Sequence, residues 1–133
     1  MNWSFGNDRP IYLQVMEQLK LGIISGELPA GSRLPAVREM AAEAAINPNT
    51  MQKALSELER EGLLYAQRTN GRFVTEDSEL LRQLRYRLAR DKLVTLISQM
   101  QRLGYPREEL ATMIQKIFEE DSENGTDNTS TGA

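Results

Sequence analysis

The sequence contains no cysteine and no histidine. Without thiols there is no disulfide framework and no thiolate nucleophile. Without imidazole, neither a Ser-His-Asp nor a Cys-His nucleophile can be assembled. A zinc site would fall to carboxylates alone, which suit magnesium or calcium better. Walker-type and G-x-G-x-x-G phosphate cradles are missing as well. No apolar run approaches the ~20 residues that cross a bilayer. The start, Met1-Asn2-Trp3-Ser4-Phe5, has neither the basic nor the apolar region of a signal peptide. Together these absences predict a cytoplasmic protein that is not an enzyme, with no cofactor, no metal and no membrane partner.

What is present fits one domain with an appendage: 133 residues, 40% hydrophobic and 26% charged. The net charge of −3 argues at first against a polyanionic partner, but it is unevenly distributed. Residues 1–103 carry 14 Lys/Arg against 12 Asp/Glu, and residues 104–133 carry 2 against 7. The acidity gathers at the C-terminal end. Ahead of it the chain is mildly basic, which predicts modest, salt-sensitive DNA affinity.

Apolar residues at helical spacing run from Pro10 to Ser25 (Ile11, Val15, Leu19, Ile23), with Asp8 as the expected cap and Gly26 as the stop. Pro and Gly forbid a helix across Glu27–Pro35. A second helix over Ala36–Ala44 is expected to bury Val37, Met40, Ala41 and Ala44. A third begins after Asn47 with Pro48 in its first position and buries Met51, Ala54, Leu55 and Leu58. The short link between these two helices is helix-turn-helix spacing. Two strand-like runs, 63–68 and 72–75, flank Thr69-Asn70-Gly71, a hairpin signal that supplies a wing. A longer helix follows over 78–103, then another opening at Pro106. From Asp121 onward no apolar side chain exceeds alanine, which reads as a disordered tail.

Gly31-Ser32-Arg33-Leu34-Pro35-Ala36-Val37-Arg38-Glu39-Met40-Ala41 and the run Asn47–Leu63, with its Leu58-Glu59-Arg60-Glu61-Gly62-Leu63 ending, resemble the helix-turn-helix of the GntR family of bacterial regulators. Pro10-Ile11-Tyr12-Leu13-Gln14, Asn47-Pro48-Asn49-Thr50 and Leu103-Gly104-Tyr105-Pro106-Arg107-Glu108-Glu109-Leu110 resemble its short YtrA-type branch. The resemblance implies two C-terminal helices used for dimerisation, and repression of a neighbouring transporter operon. It also implies a DNA contact by Arg38, whose other role is a surface pair with Glu39 or Glu43. Ala36 stands where the family usually has Ser, Ala45 where Gly is common in the turn, and Pro106 where Ser is frequent. The expected architecture is mainly α with a small β-hairpin. Residues 1–76 form a winged helix-turn-helix DNA-binding domain, 77–120 a helical dimerisation segment, and 121–133 a disordered acidic and polar tail.

A recognition helix reads base edges from near its N-terminus. Those positions hold Asn49, Thr50, Gln52 and Lys53. Asn and Gln can pair with adenine, Thr can meet a thymine methyl, and Lys53 can serve a guanine or a phosphate. Asn47 is either a contact or only a cap. In the wing, Arg68, Asn70, Gly71 and Arg72 are candidates for the minor groove or for phosphates; the alternative is a solvated hairpin tip. The basic residues Arg82, Arg85, Arg87, Arg90 and Lys92 read as a solvated face.

Leu81, Leu84, Leu88, Leu93, Ile97 and Met100 on one helix, and Leu110, Ile114, Ile117 and Phe118 on the next, form apolar stripes that two helices cannot bury on each other. A second copy is the simplest cover. Two-fold symmetry then presents two recognition helices to an inverted-repeat operator of double-stranded DNA. An unidentified small-molecule effector is the remaining partner class, with Tyr105, Met113 and Phe118 either lining its pocket or simply filling a core. The reading from another class is a winged-helix protein-interaction module that binds no DNA.

Overall fold

The computed structural model describes residues 1–124. It contains α1 (Ile11–Ser25), α2 (Val37–Ala44), α3 (Pro48–Arg60), β1 (Leu64–Gln67), β2 (Gly71–Val74), α4 (Ser78–Arg102) and α5 (Arg107–Asn124). One compact unit spans Met1–Tyr86 and a second begins at Arg87. The first unit thus takes in the opening turns of α4 and runs past the boundary expected at residue 76.

In the first unit α1 and α2 both pack on α3, and α3 packs on β1. Its core is Val15, Leu19, Met40, Met51, Ala54, Leu55, Leu58, Leu63, Leu64, Val74 and Leu84, each at most 3% exposed. Burying each large aliphatic side chain contributes about 1.5–3 kcal/mol. The Lys20–Glu61 ion pair, 3.0 Å, ties α1 to the end of α3.

Asp8 does not cap α1. The N-cap is Pro10, with no side-chain cap bond. Instead two glutamines of α1 hold the preceding chain from inside. Gln14 Nε2 donates to the carbonyls of Gly6 (3.0 Å) and Arg9 (2.8 Å), and its Oε1 accepts from Gly6 N–H at 2.8 Å. One turn on, Gln18 Nε2 donates to the Ser4 carbonyl and its Oε1 accepts from Ser4 N–H. Gln14 is buried with its amide satisfied, the condition under which a polar side chain is tolerated in a core.

The segment before α2 is more ordered than its Pro and Gly suggested. Gly31 N–H donates to the Val74 carbonyl, Val74 N–H to Ser32 and Leu34 N–H to Arg72. Arg33 thereby forms an isolated antiparallel β-bridge with Phe73, tying this segment to the edge of the two-stranded β1–β2 hairpin.

α4 opens on Asp77, whose carboxylate accepts from Leu80 N–H at 3.1 Å. Glu79 pairs with Arg82 at 2.6 Å, and hydrogen bonds from Arg82 and then Gln83 hold its carboxyl below the usual range. In the second unit Leu110 is buried, whereas Leu93, Val94, Leu96, Ile97, Ile114, Ile117 and Phe118 are exposed. α5 continues through Asn124, so residues 121–124, read from composition as tail, are helical. The rest of that expected tail, 125–133, lies outside the described residues.

Candidate nucleic-acid interface

The turn between α2 and α3 depends on Ala45. Its φ of 59° and ψ of 45° place it in the left-handed region, the sole non-glycine with positive φ among the described residues. Ala45 N–H donates to the Ala42 carbonyl and Ile46 N–H to Ala41, closing α2 as a glycine would. At the other end of α2, Ala36 supplies no capping side chain.

Asn47 then caps α3: its Oδ1 accepts from Asn49 N–H at 2.7 Å, with Pro48 in the first turn where no N–H is needed. Of its two sequence-based roles, the structure displays the cap, made through Oδ1. α3 has two distinct faces. Met51, Ala54, Leu55 and Leu58 are buried, while Asn49, Gln52 and Lys53 are exposed and Thr50 is half-buried. Gln52 Nε2 donates to Ser56 Oγ at 3.0 Å, which orients the amide along the outer face. Lys53 Nζ lies 3.9 Å from the centre of the Tyr12 ring. Arg38 is exposed on α2 and enters no ion pair among the described residues, with either Glu39 or Glu43.

The wing pairs Leu64 with Val74, Tyr65 with Phe73, Ala66 with Arg72 and Gln67 with Gly71. Arg68-Thr69-Asn70 is therefore a three-residue loop, closed by Asn70 N–H on the Gln67 carbonyl at 2.8 Å. Gly71, at φ +93°, is the left-handed residue that lets the strand resume. Arg68 and Asn70 are exposed at the tip.

Arg72 is placed differently from its neighbours. Its Nε lies 3.3 Å from Glu59 Oε2 on α3, and both side chains are largely covered. The alignment leaves Nε without a formed hydrogen bond. Arg72 braces the wing against the recognition helix instead of standing free at the tip. The arginine that does lie beside the tip is Arg33: a Cβ added to Gly71 would meet its Nε at 3.1 Å. Arg33 is exposed and enters no ion pair among the described residues. Sequence reasoning missed it because its position depends on the β-bridge to Phe73; the signal available was one arginine inside Gly31–Pro35.

Of the residues expected at a dimer seam, Leu93, Ile97, Ile114, Ile117 and Phe118 are exposed, and Leu81, Leu88 and Met100 are half-buried. Leu84 and Leu110 are buried within the chain, which removes them from an open seam; helical spacing alone does not separate the two cases. Tyr105 and Met113 line a hollow of about 390 Å³ along α5 with Glu108, Glu109, Thr112 and Lys116; Phe118 is not part of it. No helix among the described residues is long and apolar enough to cross a membrane.

The family profile "Bacterial regulatory proteins, gntR family" matches residues 11–74. The uncharacterized HTH-type transcriptional regulator YhcF of Bacillus subtilis is 38% identical over 119 residues, covering 90% of this chain and 98% of that protein. The HTH-type transcriptional repressor YtrA of Bacillus subtilis is 35% identical over 109 residues, covering 81% and 84%. Among solved structures, a GntR family transcriptional regulator from Listeria monocytogenes aligns with a TM-score of 0.76 at 34% identity, covering 84% of this chain and 98% of that one. The AraR DNA-binding domain in complex with operator ORX1 aligns with a TM-score of 0.52 at 26% identity, covering 56% and 96%. With the profile spanning the winged unit and these relatives matched over most of their length, the chain belongs to the gntR family of bacterial regulatory proteins, DNA-binding transcriptional regulators and not enzymes.

Proposed function

We propose that the protein acts as a homodimeric repressor that occupies an inverted-repeat operator, with α3 of each copy in a major groove. The observation that carries this reading is the division of α3 into a closed apolar face and an open polar face of Asn49, Gln52 and Lys53. Arg38 adds a free guanidinium on α2. In this reading Asn49, Thr50 and Gln52 read base edges, Arg38 holds a phosphate, and Arg68, Asn70 and Gly71 bring the wing to the duplex. Arg33, beside Gly71, joins them as a backbone contact, while Asn47 and Arg72 set the posture of α3 and the wing.

The exposed Leu93, Ile97, Ile114, Ile117 and Phe118 support residues 77–120 as the dimerisation segment, since a lone chain would leave this surface wet. Control of a neighbouring transporter operon rests on the resemblance to the YtrA-type branch, and action on the chromosome places the protein in the cytoplasm. A small effector would enter at the hollow beside Tyr105 and Met113. Stabilisation of the protein by a metabolite in a thermal-shift screen, lost in Met113→Trp, checks that site.

The deciding experiment is fluorescence anisotropy with the DNA upstream of the protein's own gene, a scrambled control and a series of salt concentrations. Tight, salt-dependent preference for the upstream fragment is expected. Arg38→Ala should weaken binding to both fragments alike, and Gln52→Ala should mainly erase the preference. Equal binding to both fragments by the wild type would refute this operator assignment.

A further inference from the structure

The first turn of α1 contributes to the same surface. Ile11, Tyr12, Asn49, Thr50 and Lys53 line a hollow of about 430 Å³ between the N-terminal ends of α1 and α3. None of these five residues is acidic, and Tyr12, Asn49, Thr50 and Lys53 all carry hydrogen-bond donors. The Lys53 ammonium is drawn onto the Tyr12 ring, 3.9 Å from its centre. It therefore leans toward a neighbouring helix and not straight out from α3. A ring face attracts the cation through its quadrupole and engages only the N–H side turned toward it, leaving donors on the outer side. The ammonium is fixed in place and still able to bind an anion.

Lys53 had two open roles, a guanine edge or a phosphate. A base edge lies on the groove floor under the outermost line of the recognition helix, whereas the sugar–phosphate strands form the walls on either side. A cation held toward α1 meets a wall. We propose that Tyr12 is a positioning residue of the DNA interface: its ring holds Lys53 in a seat for one backbone phosphate, leaving base reading to Asn49, Thr50 and Gln52. The inference rests on the DNA reading above and assigns one of its contacts.

The test uses the full chain in the same anisotropy assay, with melting curves for each variant. Lys53→Ala, at an exposed position, should weaken binding to operator and scrambled DNA by the same factor and reduce the salt slope by about one. Tyr12→Leu should weaken both by about threefold to fivefold, and Tyr12→Phe should retain wild-type affinity because the ring face remains. In a Lys53→Ala background, Tyr12→Leu should cost nothing further. Loss of operator preference with an unchanged salt slope in Lys53→Ala would make Lys53 a base reader and overturn the proposal. So would additive losses in the double variant, or failure of Tyr12→Phe to bind like the wild type. Arg38→Ala measured alongside separates the two levels. If it weakens binding while Lys53→Ala does nothing, this seat fails and the DNA reading stands; if the wild type itself shows no salt-dependent binding, both fail.

Discussion

The winged unit and the C-terminal helices use the same apolar residue types in opposite ways. In the first unit Val15, Leu19, Met51, Leu55 and Leu58 are at most 1% exposed, and the helix-turn-helix closes its core without help. Beyond Arg87, Leu93 is 55% exposed and Phe118 64%, with Ile97, Ile114 and Ile117 between 41% and 48%. One region has a closed core and exposes only scattered large apolar side chains, Leu13, Leu21, Tyr65 and Tyr86. The other is unfinished as a single chain, and what it lacks is apolar cover. The difference is what the proposed division of labour rests on, recognition in the first and assembly in the second.

The comparison breaks most visibly if assembly is removed. Ile97→Asp combined with Phe118→Asp should give a monomer by light scattering and lose operator affinity by about a hundredfold or more, because the second half-site no longer binds at high effective concentration. The melting behaviour of the winged unit should be retained. Leu55→Ala is the complementary break: a cavity at a fully buried position should cost about 2–5 kcal/mol in urea denaturation, whatever the protein concentration. Leu93→Ala, by contrast, should lower a melting temperature that itself depends on protein concentration. Gln14→Ala removes the amide that holds Gly6 and Arg9 and should cost about 1–3 kcal/mol by the same measurement. The smallest effects are gains. Ala45→Gly relieves a left-handed alanine and Ala36→Ser restores a cap for α2; each should stabilise by about 1 kcal/mol, read as a higher melting temperature.

Most of the winged unit was legible in the sequence because its signals are local. Spacing marks the buried face of α3, Asn47-Pro48 marks its start, and Asn70-Gly71 marks the wing, although the three-residue loop lies one position earlier, at 68–70 instead of 69–71. Ala45, standing where glycine is common, adopts the positive φ that such a position asks for. What could not be read depends on partners distant in sequence. Gln14 and Gln18 hold backbone groups eight and fourteen residues away, an arrangement with no periodic trace. The bridged segment Gly31–Leu34 is held in place only because β2 is beside it. Arg72 looked like its neighbours at the tip until Glu59 was placed against it. For the same reason Leu84 and Leu110 share the spacing of open-face leucines yet lie inside.

The bridged segment before α2 also has a mechanical consequence. Gly31–Leu34 is hydrogen-bonded to the wing at both ends and leads, two residues later, into α2. The Arg72–Glu59 brace joins the same wing to α3. Wing, α2 and α3 are linked in a closed loop, so a tilt of one is carried into the others. These links oppose independent movement of the wing, α2 and α3. In the proposed dimer, a signal that changed operator affinity would act on the separation and angle between the two winged units.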